Sequence, residues 1–207
     1  HNCDEPYLYL PPLDYAAQKY GPDAPQSVAA LQEFRGQLER LADLCQRRGC
    51  ALAVTGDYAI ASVTAEPVTP NVTLRATGLF RTRSVAGRAY PDFYQSTAFA
   101  MCDHEVCVVY GPDRDKAVEL LLATGAYERP ENARPPTPDV PILLAQRGSW
   151  CDYRWWTDRR EAPDFASHVD IHNKPGFDPR ELFFFNRGVV KGTHGRACAV
   201  AQTEEDR

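Results

Sequence analysis

The chain has 207 residues, of which 43% are hydrophobic and 25% are charged, a composition typical of a globular protein with a buried core. Its net charge of −5 at pH 7 leaves no excess of basic residues, so the composition does not support a nucleic-acid-binding surface. The most apolar segments, such as residues 117–123, are far shorter than the about 20 residues that cross a bilayer, and we predict no membrane span.

The first predicted element is a short strand over residues 7–10, which is apolar, partly aromatic and followed by two prolines. We expect this strand to deliver Asp14 to the loop after it. A carboxylate at the end of a strand is an ordinary metal ligand, although a turn or a helix N-cap is the structural alternative for Asp14.

The clearest helix begins at Pro25 and ends before Gly49. Its apolar residues repeat at intervals of three and four and are Val28, Leu31, Phe34, Leu38, Leu41, Ala42 and Cys45. Residues 51–55 form an apolar run that ends at Gly56 and Asp57, so we predict a buried strand with a carboxylate at its carboxyl end. A helix followed by such a strand is one unit of a parallel α/β sheet.

A second unit follows over residues 98–110, which are rich in β-forming residues and precede a predicted helix at 117–122. Asp103 and His104 lie inside this strand and should point to opposite faces of the sheet. One of them is expected to be buried and paired, because an unpaired buried charge is costly. A role in a functional site is the alternative for both.

Prolines concentrate in residues 129–141, which we predict to be a loop, and a small cap is expected over residues 129–165. Within that region residues 142–145 fit a short buried strand. Residues 150–156 are dense in aromatic side chains, and we favour core packing for them over a surface that stacks bases.

Two further histidines stand near the end of the chain. Asp170 and His172 lie in a polar loop and are spaced to point to the same side of an extended segment. His194 stands between Gly192 and Gly195, where the backbone can approach a ligand closely, or it is a solvated loop histidine. Carboxylates and imidazoles of this kind converge in hydrolytic sites that hold two metal ions about 3.5–4 Å apart.

The chain contains seven cysteines, which are Cys3, Cys45, Cys50, Cys102, Cys107, Cys151 and Cys198. No two have the Cys-x-x-Cys spacing of a zinc knuckle or a thioredoxin-like motif. Cysteines in apolar stretches fit small buried hydrophobes, while one or two disulfides remain open. The compartment is left open too, since Asn71 begins a glycosylation triplet but could equally cap a helix.

Six segments together resemble the carboxyl-terminal half of a type I phosphodiesterase/nucleotide pyrophosphatase, a family within the alkaline phosphatase superfamily. They are residues 9–22, 54–58, 98–110, 150–158, 170–182 and 191–195. The resemblance and the two predicted units imply an α/β fold, a mainly parallel sheet flanked by helices on both faces. Residues 1–207 would then form a single domain or the carboxyl-terminal half of a larger one.

In that family two zinc ions flank a Thr or Ser nucleophile at the end of a strand. The resemblance assigns Asp14, Gln18 and His194 to one metal. It assigns Asp57 and Tyr58 to the other. Gln18 and Tyr58 stand where the zinc pattern has histidines, and a glutamine offers only a neutral carbonyl oxygen.

A bacterial branch of the family is similar in carrying Gln and Tyr at those positions. It has segments resembling Asp103-His104 and residues 170–172, and these residues could rebuild a different site. That branch carries a histidine where this chain has Pro12.

The resemblance implies a hydrolase of phosphodiesters or pyrophosphates that depends on a divalent metal, most simply zinc. The substrate would be a phosphoester, and the catalytic nucleophile would come from an amino-terminal segment or a partner subunit. The alternative is a degenerate, non-catalytic family member that serves as a structural subunit of a larger assembly.

Overall fold

The computed structural model describes residues 6–56, 58–130, 140–167 and 190–196. Within these ranges the α-helices are Pro12–Tyr20 (α1), Pro25–Arg48 (α2), Pro70–Ala76 (α3) and Arg114–Ala123 (α4). Two short 3-10 helices cover Arg159–Glu161 and Asp164–Ser167. No helix in the described part of the chain is long and apolar enough to cross a membrane.

The strands are Ala61–Ser62 (β1), Thr82–Val85 (β2), Arg88–Pro91 (β3), Phe99–Asp103 (β4), Val106–Tyr110 (β5), Tyr127–Glu128 (β6), Ile142–Ala145 (β7) and Gly192–Thr193 (β8). The largest sheet has the strand order β4-β5-β7-β6. The other two sheets each contain two strands, β1 with β8 and β2 with β3.

All strand pairs in these three sheets are antiparallel, so the mainly parallel sheet predicted from the sequence is not present in the described ranges. Residues 98–110 are the reason. Instead of one strand they form the hairpin β4–β5, because the chain turns at His104 and Glu105, and His104 has a φ of 52°. Strands joined by so short a turn pair antiparallel.

The core lies between this sheet and the helices α3 and α4. Its fully buried side chains include Leu74, Leu121, Val109 and Leu143. Trp155 and Trp156 are only 6% and 5% exposed, which confirms the prediction that the aromatic segment packs into the core. The predicted strand at residues 142–145 and the predicted helix at 117–122 are confirmed as β7 and as part of α4.

The edge strand β4 is covered by the side chain of Asn71. Its Nδ2 donates to the carbonyl oxygen of Ala100 at 2.8 Å, and its Oδ1 accepts from the Ala100 N–H at 2.8 Å. Asn71 is 4% exposed and lies inside α3, for which Thr69 is the N-cap residue. Neither the helix-cap interpretation nor glycosylation fits this position, because the amide nitrogen is buried and hydrogen-bonded.

The amino-terminal region differs most from the prediction. The helix from Pro25 to Arg48 is confirmed, and it ends at Gly49 with a φ of 65°. Residues 51–55, predicted to be a buried strand, are exposed and lie outside any strand, and so are residues 7–9. Asp14 therefore lies in the first turn of α1 and not in a loop after a strand. Apolar character marks a preference for burial, but a strand also needs a neighbouring strand to pair with.

Candidate functional site

The tip of the β4–β5 hairpin carries His104, which has a positive φ. Such a backbone conformation is uncommon for residues other than glycine and is found mainly where surrounding contacts hold it. The His104 side chain is 10% exposed, whereas the neighbouring Asp103 side chain is 83% exposed. Asp103 Oδ1 lies 4.0 Å from His104 Nε2, so the carboxylate sits at the edge of the histidine.

The segment from Gly192 to Arg196 brings His194 to the hairpin tip. The Glu105 N–H donates to the His194 carbonyl oxygen at 2.9 Å. A Cβ at Gly195 would lie 2.7 Å from Val106 Cγ2, and one at Gly192 would lie 2.3 Å from the carbonyl oxygen of Ala17. These two glycines therefore allow close approach to the hairpin and to α1, whereas the sequence predicts close approach to a ligand.

Helix α1 supplies a carboxylate held by two donors. Gln18 lies one helical turn after Asp14, and its Nε2 donates to Asp14 Oδ1 at 2.6 Å. The hydroxyl of Tyr58 donates to the same oxygen at 2.9 Å. Gln18 is only 2% exposed, so its hydrogen bond to Asp14 is partly shielded from water.

Three rings connect α1 to the hairpin. The Tyr58 and His194 rings are stacked with centroids 3.8 Å apart and an interplanar angle of 12°. The His194 and His104 ring centroids are 3.7 Å apart at 32°. We call these three residues the ring stack, and together with Asp14 and Gln18 they form the candidate site.

Arg196 joins the loop that carries His194 to the hairpin turn and to strands β6 and β7. Its Nη1 contacts Glu128 Oε1, its Nη2 donates to the Ala145 carbonyl oxygen at 2.5 Å, and its backbone N–H donates to Glu105 Oε2 at 3.1 Å. The side chains of Arg196 and Glu105 are 14% and 3% exposed. An ion pair this buried fixes geometry, because losing one partner would leave an uncompensated charge.

The segment that contacts the hairpin tip carries a buried carboxylate. The Cys151 N–H donates to the His104 carbonyl oxygen at 2.6 Å, and the next residue, Asp152, is fully buried. Burial raises the Asp152 pKa to about 7, although hydrogen bonding from the Arg154 N–H and the Arg154 charge act in the opposite direction. Arg154 Nε lies 3.0 Å from Asp152 Oδ2.

The predicted site residues divide into three groups. Asp14, Gln18, Tyr58, His104 and His194 come together in the candidate site. Asp103 lies at its exposed edge. Asp57, Asp170 and His172 lie outside the described residues.

No sequence motif predicts the clamp, which consists of Arg196 with Glu105 and Glu128. Arg196 directly follows the Gly192–Gly195 loop, and Glu105 directly follows His104, so adjacency to two singled-out histidines was the available signal. Nothing local to Glu128 indicated its role. Its contact with Arg196 arises only because β6 pairs with β7 at the far edge of the sheet.

The candidate site is a polar network that contains residue types able to bind a metal. A carboxylate and two imidazoles are the ligands that zinc accepts. In the described ranges, however, no group of three or more His, Cys, Asp or Glu side chains is arranged to hold a metal ion. The two imidazole rings lie against each other with their centroids 3.7 Å apart, and Asp14 Oδ1 already accepts two hydrogen bonds.

Comparison with protein families gives one match. The model of the family described as type I phosphodiesterase / nucleotide pyrophosphatase matches residues 5–178. That range includes Asp14, Gln18, Tyr58 and His104, while His194 and Arg196 lie after it. Comparison with curated proteins gave no match, and comparison with solved structures gave none either.

Proposed function

Because the chain belongs to the type I phosphodiesterase/nucleotide pyrophosphatase family, we propose that its candidate site serves the hydrolysis of a phosphodiester or pyrophosphate. The observation that carries the proposal is the convergence of Asp14, Tyr58, His104 and His194. These residues come from α1, the segment before β1, the hairpin tip and the loop after β8. These side chains are far apart in sequence but contact one another in the fold. Carboxylate and imidazole groups are the residue types that hydrolytic metal sites use.

The site is proposed to take a divalent metal, and zinc best suits its donors. Asp14, His104 and His194 are the proposed ligands, with Asp57 as a further carboxylate. His172 and Asp170 remain candidates to complete the set. The bound metal would supply positive charge for the phosphoryl oxygens.

The protein residues would prepare the site in two ways. Gln18 and Tyr58 orient the Asp14 carboxylate by their hydrogen bonds. Metal binding would replace the contact between the His104 and His194 rings, because imidazoles bind metals through ring nitrogens and not through their faces. The nucleophile is proposed to be a Thr or Ser of an amino-terminal segment or a partner subunit.

A second candidate function is that of a non-catalytic structural subunit. Gln18 and Tyr58 occupy the positions at which the family resemblance has zinc-binding histidines. Both donate to Asp14, so hydrogen bonds join α1 to Tyr58 without a metal. This arrangement favours a site in which hydrogen bonds have replaced metal ligands and which stabilises the fold instead of catalysing a reaction.

Calorimetric titration with Zn²⁺ tests the metal site. We expect His104→Ala and His194→Ala to weaken zinc affinity by at least about tenfold, since each removes a proposed ligand. His168→Ala removes a histidine outside the proposed set and is the control. Equal affinity in all four proteins, including the unsubstituted chain, would rule out this ligand set.

Hydrolysis of bis-p-nitrophenyl phosphate then separates the two functions. The assay uses the natural full-length protein loaded with zinc, so that any nucleophile from another segment is present. Zinc-dependent hydrolysis that His194→Ala abolishes supports the enzyme. An absence of hydrolysis, whether or not zinc binds, supports the structural subunit.

An amino-terminal segment or partner subunit is also proposed to cover the exposed apolar side chains near the start of the chain. Val28, Leu31 and Leu44 on α2 are 50%, 49% and 42% exposed. Leu52 and Val54, in the run that forms no strand, are 43% and 61% exposed. A covering segment or subunit would remove these apolar side chains from water, which is the physical reason for the proposal.

A further inference from the structure

Two cysteines face each other in the hairpin that carries His104. Cys102 in β4 and Cys107 in β5 are direct partners in the antiparallel register. Side chains of directly opposite residues project from the same face, with Cβ atoms about 4.5–5.5 Å apart. A disulfide needs a Cβ separation of about 3.5–4.5 Å and a Cα separation of about 4.4–6.8 Å, so a small movement is sufficient.

We propose that Cys102 and Cys107 are the sites of a cross-strand disulfide, in which oxidation links β4 to β5 beside the turn at His104. Both cysteines are free thiols in the structure. Cys107 is fully buried, whereas Cys102 is half-buried, so Cys102 is the more accessible residue of the pair. The inference does not depend on the proposed hydrolytic function.

The thiols of Cys102 and Cys107 are close enough to interact through a hydrogen bond. The pKa of Cys102 lies well above its usual value, first because of hydrogen bonding with the Cys107 thiol and then because of burial. Since the thiolate is the attacking species, the bond should form faster as the pH rises.

Cys151 lies near both thiols but is engaged elsewhere. Its Sγ donates to the carbonyl oxygen of Glu105 at 3.5 Å, and its N–H donates to the carbonyl oxygen of His104. A bond from Cys151 to Cys107 would break the contact with Glu105. A bond between Cys102 and Cys107 leaves it intact, so the geometry selects the cross-strand pair.

The oxidant proposed is a small-molecule disulfide, and glutathione disulfide is the probe. The Cys102 thiolate attacks one glutathione sulfur, which forms a mixed disulfide and releases one glutathione thiolate. The Cys107 thiolate then attacks the Cys102 sulfur and releases the second. The two protein thiols are oxidised, glutathione disulfide is reduced, and the two thiol protons end on the two glutathione molecules.

Peptide mapping of the intact folded chain tests the proposal. The chain is incubated with glutathione disulfide at a mildly alkaline pH, alkylated in denaturant without a reductant, and digested with trypsin. Arg88 and Arg114 bound a single peptide, residues 89–114, that holds both cysteines and no other. We expect this peptide to carry no alkyl group and to be two hydrogen atoms lighter than the free dithiol, and to gain two alkyl groups when it is reduced and alkylated again.

Two variants sharpen the assignment. Cys151→Ser should leave the internal bond in peptide 89–114, since a serine hydroxyl can also donate to Glu105. Cys107→Ser should convert Cys102 to an alkylated or glutathione-bound cysteine. If Cys107→Ser fails to fold, the alkylation of peptide 89–114 in the unsubstituted chain still tests the proposal. Two alkylated or glutathione-bound cysteines in peptide 89–114, or a link to the Cys151 peptide, would overturn the proposal.

Discussion

The Tyr58 hydroxyl is the only polar group of that ring, and it bonds to Asp14 while the ring itself stacks on His194. These two contacts can be separated by substitution. Tyr58→Phe should lower the free energy of unfolding by about 1 kcal/mol, because it removes one hydrogen bond from a partly exposed position. Tyr58→Leu should cost about 0.5–1.5 kcal/mol more, because it also removes the aromatic pair.

Urea denaturation of the three proteins measures both effects. The difference between the Phe and Leu variants isolates the stacking contact with His194. Equal stabilities of these two variants would mean that the stack contributes nothing.

Asp152 makes stability depend on pH in the direction opposite to that of a carboxylate whose pKa is lowered on folding. Burial raises its pKa in the folded chain to about 7, against 3.8 for an ordinary aspartate. The folded chain then holds a proton that the unfolded chain releases between these values, so the contribution of Asp152 is complete below pH 3.8 and declines up to pH 7. The decline corresponds to about 4 kcal/mol.

Asp152→Asn removes this titration and keeps the side-chain volume. We expect the stability of the unsubstituted chain, measured relative to the Asn variant, to fall as the pH rises from about 4 to about 7. Chemical denaturation at several pH values provides the comparison. Parallel stability curves for the two proteins would contradict a raised pKa at Asp152.

At the scale of the elements, the Arg196 clamp holds the His194 loop on the hairpin and on β7. A lysine keeps the charge but cannot reproduce a planar guanidinium that contacts two groups while its backbone bonds a third. Arg196→Lys should therefore destabilise the chain by about 2–4 kcal/mol, toward the cost of breaking a buried ion pair. It should also shift the NMR signals of the His194 imidazole.

Arg160→Lys is the matched control. Arg160 also forms an ion pair, with Asp158, but the Arg160 side chain is 90% exposed. This variant should change neither stability nor the His194 signals appreciably, as is usual for exposed ion pairs. If Arg196→Lys lowers stability but leaves the His194 signals unchanged, Arg196 does not position the histidine.

The elements that the sequence predicts well are those with strong local patterns. The spacing of apolar residues predicts α2, and a short apolar run predicts β7. The β4–β5 turn escapes prediction because it uses His104 at a positive φ where glycine or asparagine would be the usual signal. Strand direction depends on that turn. A prediction that overlooks the turn therefore gives one strand of a parallel sheet in place of an antiparallel hairpin.

At the scale of the whole molecule, the candidate site is predictable only as separate fragments. Family resemblance identifies Asp14, Tyr58, His104 and His194, but their mutual contacts depend on how α1, the hairpin and the last loop pack. Gln18 illustrates this limit. By residue type it is a poor zinc ligand, yet in the structure it is a buried donor that holds Asp14.

The uneven burial of the molecule leads to a prediction about α2. Leu31 is 49% exposed, whereas Leu121 in α4 is fully buried. Leu31→Ser should therefore change the stability of this chain by no more than about 0.5 kcal/mol, as is usual at the surface. Leu121→Ala should cost about 2–5 kcal/mol, because it leaves a cavity in the core.

The same Leu31→Ser variant tests whether another protein segment covers this face. If another segment or subunit covers Leu31 in the natural assembly, the substitution there should cause a clear loss of stability in thermal denaturation. The physical reason is that burial by a second segment turns a surface side chain into an interface side chain, with a transfer free energy of about 25 cal/mol per Å² of apolar area. An equally small effect in both settings would show that the apolar face of α2 remains uncovered.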